Sequence, residues 1–332
     1  MEWAEMTNKP LQLLFLDWKQ AFDSLDHTAM LEALRRFGVS ELMLKTIQAI
    51  YQSPTFYTRG PDHTAAAGSV HSGIRQGCPL SPYLFIIVLT VMLADVDNDL
   101  LLQGTPTNTW SEGYPTFDLE HADDTLLLAL TTPQMQDILT SLESVAHEYG
   151  MHLNKTKTEL LINPDRPSSP LYFTDGAAVP TTPQIKYLGT RITWKKPFDA
   201  AFLHRAAIAE EAFKKLRLVW NSSLSQAVRL RIFQSTFTPT LIYALDTLTL
   251  TQKQLDRVDA FFIRFLRRVV RVKASYYSRI PNTEVMRKAG YPTLPSTHIL
   301  NAQHKTLKQV LWPPERNQHI VWFLQLPLRT VF

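Results

Sequence analysis

Residues 117–130, FDLEHADDTLLLAL, carry two adjacent aspartates between two apolar segments. Phe117 and Leu119 alternate with polar residues, and an almost unbroken apolar run begins at Leu126. Short apolar segments of this kind predict strands, and the Asp-Asp pair between them predicts the tight turn of a hairpin. Neighbouring carboxylates resist joint ionisation unless a cation lies beside them, and Mg²⁺ prefers one or two carboxylates together with substrate phosphates. The hairpin is therefore either a metal site or a solvated turn.

A candidate partner for this pair lies much earlier in the chain. Residues 11–16, LQLLFL, predict a short buried strand that ends at Asp17. If this strand neighbours the hairpin in one sheet, three carboxylates converge on one sheet edge, as two-metal phosphoryl transfer requires. The alternative is that Asp17 simply ends its strand.

Composition limits the classes of protein that this sequence can encode. The chain of 332 residues is long enough for two domains, and its 45% hydrophobic and 19% charged residues are typical of globular proteins. Its single cysteine, Cys78, excludes an intramolecular disulfide and a cysteine-based zinc site. The longest apolar run, at 83–94, is too short to span a bilayer, and no secretory signal is visible. We therefore expect an intracellular protein, nuclear or cytoplasmic, without a membrane partner.

The net charge of +4 is distributed unevenly along the chain. Residues 1–199 contain 14 Lys and Arg against 23 Asp and Glu, whereas residues 200–332 contain 20 against 7. A basic half beside an acidic half suggests that one part grips a polyanion while carboxylates in the other part handle metal. The alternative is a helical domain that is basic for solubility alone.

The predicted elements divide the chain near Pro197. Before it, residues 53–74 predict a hairpin or loop, and Ser81-Pro82 predicts the N-cap and first residue of a long helix. After it, three long helical patterns are separated by the SSLS cluster and by Pro239, and the last opens with a capping box at Thr251. We expect a mixed α/β unit over residues 1–198, an all-α unit over 199–290 and an extension of unassigned role over 291–332.

Five segments resemble the successive polymerase motifs of reverse transcriptases, in the order that this family uses. They are DWKQAFDSLDH, GIRQGCPLSPYLF, HADD, GMHLNKTKTELL and YLG. In particular the chain resembles the polymerases of non-LTR (LINE-type) retrotransposons, over about residues 11–290. The resemblance implies an α+β right-hand polymerase fold: a palm with an antiparallel sheet and helices on one face, partial fingers, and an all-α thumb.

The same resemblance implies a reaction and its cofactors. The reaction is RNA-directed DNA synthesis, in which dNTPs extend the 3′-OH of a DNA primer on an RNA template by two-metal-ion phosphoryl transfer. Two Mg²⁺ ions, or Mn²⁺ in their place, are the implied cofactors. Asp17 and Asp123 are the implied catalytic metal ligands, with Asp124 as the weaker third carboxylate.

Four further motif positions are implied to bind the incoming nucleotide. Phe22 is the implied steric gate, whose ring would clash with a ribose 2′-OH, although spacing alone favours a core aromatic. Gln76 and Gly77 would lie against the nucleotide and template, since glycine permits close backbone approach. Lys157 would approach the triphosphate and stabilise or protonate the pyrophosphate leaving group.

Primer and template contacts are implied for residues on both sides of the predicted domain boundary. Tyr187, Leu188 and Gly189 match the primer-grip motif, and Arg75 and His121 are further candidates. The last long helix carries arginines that would track the phosphate backbone, or would simply form a solvated face: Arg264, Arg267, Arg268 and Arg271.

The sequence also departs from the family pattern. His121 stands where the family usually has Tyr or Phe, and it adds titratable character near neutral pH. The chain starts shortly before Asp17, so we expect the fingers and endonuclease segments of a parent polyprotein to be missing. Two rival functions follow: a catalytically inactive nucleic-acid-binding remnant, and a maturase-like helper of RNA splicing.

Overall fold

The computed structural model describes residues 1, 4–5, 8–52, 55–59, 65–69, 72–105, 109–111, 114–115, 118–166 and 169–311. These residues form two compact units, one within Met1–Pro183 and one that begins at Gln184. The division falls before the boundary that we predicted at residue 198, because the hairpin carrying the YLG motif belongs to the second unit.

The first unit combines a sheet with helices. Its strands are β1 (Gln12–Leu16), β2 (Thr55–Arg59), β3 (Ala65–Ser69), β4 (Thr109–Ser111), β5 (Tyr114–Pro115), β6 (Asp118–His121), β7 (Asp124–Ala129), β8 (Glu159–Leu161) and β9 (Thr181–Thr182). Its helices are α1 (Ala21–Ser24), α2 (His27–Arg36), α3 (Glu41–Tyr51), α4 (Ser81–Leu102) and α5 (Thr132–Glu148).

The main sheet has the order β6-β7-β1-β8-β9, and its pairings are antiparallel except between β8 and β9. Side chains on one face, including Leu14 of β1 and Leu127 of β7, share a buried core with α2 to α5. Apolar burial of this kind is the main force that holds helices against a sheet. The predicted α+β fold, with an antiparallel sheet backed by helices on one face, is confirmed.

Two local predictions in this unit have different outcomes. Residues 53–74 do contain a hairpin, formed by β2 and β3. Helix α4 runs to Leu102 as predicted, but Ser81 is its first helical residue and Leu80 occupies the N-cap. The Ser81 hydroxyl instead donates to the Arg75 carbonyl at 2.6 Å, which connects the start of α4 to the preceding RQG segment.

In its described residues, the second unit consists of helices and one hairpin. The hairpin pairs β10 (Gln184–Tyr187) with β11 (Thr190–Thr193). The helices are α6 (Pro197–Lys215), α7 (Arg217–Asn221), α8 (Gln226–Ile242), α9 (Gln252–Val269), α10 (Ser275–Ser278), α11 (Asn282–Lys288) and α12 (Pro295–Leu311), with a 3₁₀ turn at Leu245–Thr247. Their core is rich in stacked and edge-on phenylalanine rings.

Pro239 does not end a helix, and this part of the prediction was wrong. It lies inside α8, where it removes one backbone donor. Phe233, Phe237 and Leu241 on the same helix are almost completely buried, so tertiary packing holds the backbone helical across the proline. The predicted capping box at Thr251 and Gln254 is present at the start of α9.

Part of the predicted C-terminal extension also belongs to this unit. Helix α12 inserts Ile299 into the core, and residues 312–332 lie outside the described residues. No helix within the described ranges is both long and apolar enough to cross a membrane.

Candidate active site

Asp17 directly follows β1, and two backbone hydrogen bonds fix its position. Its carbonyl accepts from the Asn154 N–H at 2.7 Å, and its N–H donates to the Thr158 hydroxyl at 3.4 Å. Asn154 also accepts from the N–H groups of Lys157 and Thr158, which makes the N-x-x-K-T segment a compact turn beside the strand end. Two of the resembling motifs are therefore joined at Asp17.

Trp18 provides a connection that sequence reasoning missed. Its indole N–H donates to the Thr125 hydroxyl at 3.2 Å, and both residues are buried. Thr125 pairs with Leu16 across the sheet and directly follows Asp124. A buried polar group needs such a partner, so the bond fixes the end of β1 against the start of β7. The signal was present in the sequence, since Trp18 follows Asp17 and Thr125 follows the Asp-Asp pair.

The hairpin between β6 and β7 turns one residue earlier than we predicted. Ala122 and Asp123 form the turn, whereas Asp124 is the first residue of β7 and pairs with His121. Ala122 has a φ of 60°, a left-handed conformation that is uncommon for a residue with a side chain. The two aspartates therefore have different backbone environments, one at the turn and one in the sheet.

The pKa of the Asp124 carboxyl is raised above its usual range. Partial burial is the main cause, and the neighbouring carboxylates of Asp123 and Asp17 add to it, whereas the His121 ring opposes it. Like charges raise the pKa of an acid only when they lie near it. Asp17, from a distant motif, and the adjacent Asp123 thus both influence the Asp124 carboxyl at one sheet edge.

Lys157 is the cation nearest to Asp17 for which the structure gives a distance. Its Nζ atom lies 3.6 Å from Asp17 Oδ2, and both side chains are partly exposed. An exposed ion pair of this kind contributes little to stability. The pair matters for its position, because it places the Lys157 ammonium group beside the Asp17 carboxylate.

The three carboxylates fit a divalent cation in charge and in donor type, because Mg²⁺ binds carboxylate oxygens and tolerates few protein ligands. Within the described ranges, no three His, Cys, Asp or Glu side chains are grouped in the way that the ligands of one metal ion are. Asp17 is engaged with Lys157 instead. Metal binding by Asp17, Asp123 and Asp124 stays a prediction.

Two glycines explain how three of the resembling motifs pack together. A Cβ atom at Gly73 would lie 2.6 Å from the Asp23 Cα atom, and one at Gly150 would lie 2.7 Å from the Ser24 carbonyl oxygen. Both glycines also have positive φ. The loop after Asp17 is therefore enclosed by residues of the RQGCPLSP and GMHL segments at distances that only glycine permits.

Phe22 is half-buried and packs on the core. Its ring stacks on Phe85 with a centroid distance of 4.8 Å and an interplanar angle of 17°, and Phe85 is almost completely buried. The structure therefore supports the core-aromatic alternative directly. A gate role for the remaining exposed part of the ring stays a prediction.

The predicted residues of the RQG segment are exposed. Gln76 donates through Nε2 to both carboxylate oxygens of Asp23, at 3.1 and 3.3 Å. A Cβ atom at Gly77 would meet no heavy atom within 4 Å, so the glycine is required by its φ of 81° and not by crowding. Arg75 donates to the Ile50 carbonyl at 3.2 Å. Nucleotide and template contacts at these residues stay predictions.

The predicted primer-grip residues form the tip of the β10–β11 hairpin. Leu188 and Gly189 both have positive φ, at 45° and 77°, as a two-residue hairpin turn requires. The Tyr243 hydroxyl donates to the Leu188 carbonyl at 3.0 Å, and Arg205 donates to the carbonyls of Gly189 and Thr240 at 3.3 and 2.8 Å.

Arg205 and Tyr243 lie outside the motifs that the sequence contains. The Arg205 guanidinium lies 4.7 Å from the centre of the Tyr243 ring, and burial lowers its pKa. Cation–π contact and hydrogen bonding together hold the tip of the hairpin from the helical side. No local pattern indicated this, because the hairpin and the two side chains come from separate parts of the chain.

The four predicted arginines of the last long helix are not equivalent. Arg264 and Arg268 are exposed and lie over the Phe265 ring, and Arg264 is also 3.5 Å from Glu210. Arg271 is exposed and donates to the Ser222 carbonyl at 2.6 Å. Arg267 requires a correction, because it is 5% exposed and donates to Ile280 and Asn282. It cannot reach a nucleic acid.

Comparison with known proteins places these features in a family. The family model described as reverse transcriptase (RNA-dependent DNA polymerase) matches residues 2–192. The Pol polyprotein of the type-1 retrotransposable element R2 of Popillia japonica is 33% identical over 156 residues, which are 45% of this chain and 20% of that protein. The RNA-directed DNA polymerase of the mobile element jockey from Drosophila melanogaster is 24% identical over 289 residues, 81% of this chain and 29% of that protein.

A solved structure of apo telomerase from Candida tropicalis is 14% identical, with a TM-score of 0.44, and the match covers 97% of this chain and 54% of that one. The chain spans less than a third of the length of the two curated relatives. The family match covers the whole carboxylate edge. The chain therefore belongs to the reverse transcriptase family, of the type found in non-LTR retrotransposons.

Proposed function

We propose that this chain carries the catalytic centre of an RNA-directed DNA polymerase. The observation that carries the proposal is the register of β1 against β7, which pairs Leu16 with Thr125 and so brings Asp17 next to Asp124. This register supports a site in which carboxylates from two distant motifs would act together, because phosphoryl transfer depends on positioning and charge neutralisation.

The proposal gives each residue at this edge a task. Asp17 and Asp123 would hold divalent ions and Asp124 would assist, since carboxylate oxygens suit Mg²⁺ or Mn²⁺. When bound, the ions would lower the charge on the reacting phosphate and its oxygens. Lys157 would leave its ion pair with Asp17 and bind the negatively charged triphosphate. It would then stabilise the leaving pyrophosphate.

The proposed substrates follow from the family and from the charge of the chain. They are an RNA template, a DNA primer and dNTPs, with the exposed arginines Arg264, Arg268 and Arg271 contacting phosphates. The jockey relative is named an RNA-directed DNA polymerase, which supports the same reaction here.

Primer extension on an RNA template tests the proposal. We expect the wild-type chain to extend a DNA primer in the presence of Mg²⁺, and Asp123→Asn to lower the rate by about a hundredfold or more, because a metal ligand that stabilises several kcal/mol of charge is lost. Asp165→Asn is the matched control, since it removes an exposed carboxylate of the same unit away from this edge. Its rate should equal that of the wild type.

Two outcomes would contradict the polymerase proposal. Equal extension by wild type and Asp123→Asn would show that the reaction does not depend on the Asp123 carboxylate. No extension by either, with unchanged unfolding temperatures and retained RNA binding, would favour the binding-only remnant. In that case an RNA-splicing assay would separate a maturase-like helper from a passive binder.

A further inference from the structure

A short segment of the second unit, residues 273–281, exposes two adjacent tyrosines. Tyr276 is 86% exposed and Tyr277 is 76% exposed, and their ring centroids lie 5.3 Å apart at an interplanar angle of 87°. We call this segment the tyrosine loop. Large rings usually gain free energy by burial, so an exposed pair on an ordered segment is unusual.

The tyrosine loop is held in one conformation from below. The buried Arg267 donates to the carbonyls of Lys273 and Ile280 and to the Asn282 side chain, at 3.4, 2.7 and 2.8 Å. The Ser278 hydroxyl closes the loop by donating to the Lys273 carbonyl at 3.1 Å. Arg267 thus anchors both ends of the segment, and the rings lie on its solvent side without contributing to the core.

The residues that precede and follow the two tyrosines in the sequence include many basic ones. Between Asp259 and Glu284 the sequence contains no acidic residue and six basic ones: Arg264, Arg267, Arg268, Arg271, Lys273 and Arg279. Lys273 and Arg279 flank the tyrosines and are exposed, and no carboxylate in the described part of the chain forms an ion pair with either. Both cations are therefore available to an anionic ligand.

We infer that the tyrosine loop binds single-stranded nucleic acid, with bases stacked on Tyr276 and Tyr277 and phosphates contacted by Lys273 and Arg279. Exposed aromatic rings offer a stacking surface for any unpaired base, because every base has a π-face. A duplex keeps its base faces covered, so only its phosphates would be recognised here. The inference extends the proposed polymerase function by adding a binding site for unpaired template or primer.

The test is a direct binding measurement with the full chain. Fluorescence anisotropy of labelled single-stranded oligonucleotides, one RNA and one DNA, is compared with that of a duplex of the same sequence. We expect the double variant Tyr276→Ala, Tyr277→Ala to lose about tenfold or more in single-strand affinity. Its duplex affinity and its salt dependence should be unchanged, and Tyr276→Phe with Tyr277→Phe should retain single-strand binding because stacking needs no hydroxyl.

Matched variants separate stacking, charge and general damage. Tyr172→Ala removes an exposed tyrosine of the first unit and should leave binding unchanged. Lys273→Ala with Arg279→Asn should lower the slope of log affinity against log salt by about 1.4, since each single-strand phosphate contact contributes about 0.7. Asparagine suits position 279, where φ is 53°.

Several results would overturn the inference. If the double alanine variant binds single strands within twofold of the wild-type affinity, the tyrosines do not contribute to binding. An equal loss for duplex and single strand, or failure of the phenylalanine variant to bind, would also exclude base stacking. Binding does not depend on catalysis, so Asp123→Asn with normal single-strand affinity would show that the polymerase proposal and this one stand or fall separately.

Discussion

Phe22 stacks on the buried Phe85 ring and remains partly exposed. Replacing it with valine should enlarge the space available to the sugar and raise the use of ribonucleotides relative to deoxynucleotides, because a steric filter is removed. The ratio of kcat/KM for a dNTP and the matching rNTP measures this. The variant should remain folded, since Phe22 is only half-buried.

A control distinguishes selection from general damage at this position. Phe22→Tyr keeps the ring, so it should keep the wild-type preference for dNTPs. If Phe22→Val lowers both kcat/KM values by the same factor, the ring is a core residue alone and the gate prediction is wrong.

Arg205 connects the tip of the β10–β11 hairpin to the helices of the same unit. From a buried position it makes two hydrogen bonds to carbonyls and a cation–π contact. Arg205→Met should lower the free energy of unfolding by about 2–3 kcal/mol, since carbonyl groups of Gly189 and Thr240 lose their donor. If the tip grips a primer, the KM for primer should rise while dNTP use changes less.

The control for Arg205→Met is a variant of the β10–β11 hairpin itself. Arg191 is exposed on β11, and Arg191→Met should change the unfolding temperature little. An Arg205→Met protein as stable as wild type would show that the buried contacts do not hold the tip. Thermal unfolding followed by circular dichroism gives both values.

At the scale of elements, the close glycine contacts around the loop after Asp17 lead to a specific prediction. Gly73 and Gly176 have nearly equal φ values of 82° and 84°, but only at Gly73 would a Cβ atom collide with backbone. Both alanine variants should lose about 1–2 kcal/mol for the left-handed backbone. Gly73→Ala should lose at least about 2 kcal/mol more, because the Asp23 backbone must move.

Chemical denaturation measures the two free energies of unfolding. Equal losses at the two positions would mean that the loop after Asp17 relaxes freely around a methyl group. Unequal losses would support a rigid loop, in which the positions of Asp17 and Phe22 depend on the close approach of Gly73.

The elements that determine the site were largely predictable from local pattern. Alternating and continuous apolar segments predicted β1, β6 and β7, and the carboxylate residues marked their ends. The one-residue shift of the turn to Ala122 was not predictable, because nothing in the sequence favours a left-handed alanine over an Asp-Asp turn. Burial of Arg267 was hidden for a similar reason, since its partners lie in the loop that follows the helix.

The outcome at Pro239 shows where local rules fail. Proline disfavours a helix interior by about 3 kcal/mol, which the burial of several large side chains on α8 exceeds. Pairing of β1 with both β7 and β8 was likewise a tertiary fact. The apolar segments indicated that β1 and β7 exist, but the order of the strands in the sheet follows only from the structure.

At the scale of the whole molecule, the separation of charge predicts how the chain binds polyanions. The acidic residues are concentrated before residue 200 and the basic residues after it. Affinity for nucleic acid should therefore fall steeply with salt, and Arg264→Ala with Arg268→Ala should lower the slope by about 1.4 to 1.8 if both arginines contact phosphates.

Two lysines on α6 provide the control for this experiment. Replacing Lys214 and Lys215 by alanine removes the same total charge. Both lysines are paired, with Glu210 and Glu211 at 3.1 and 2.9 Å, whereas Arg264 lies 3.5 Å from Glu210 and Arg268 lies over the Phe265 ring. Their double variant should change the salt slope less. Equal slopes for the two double variants would show that net charge alone governs binding.

The central position of β1 also determines when the carboxylate edge can form. Its partners on either side are β7 and β8, which the chain reaches only after more than a hundred further residues. Closing such long loops slows folding, and a growing chain with β1 unpaired exposes a hydrophobic strand edge. During synthesis Asp17 must therefore wait for more than a hundred further residues before Asp123 and Asp124 can join it, and we expect the nascent chain to be most prone to aggregation in that interval.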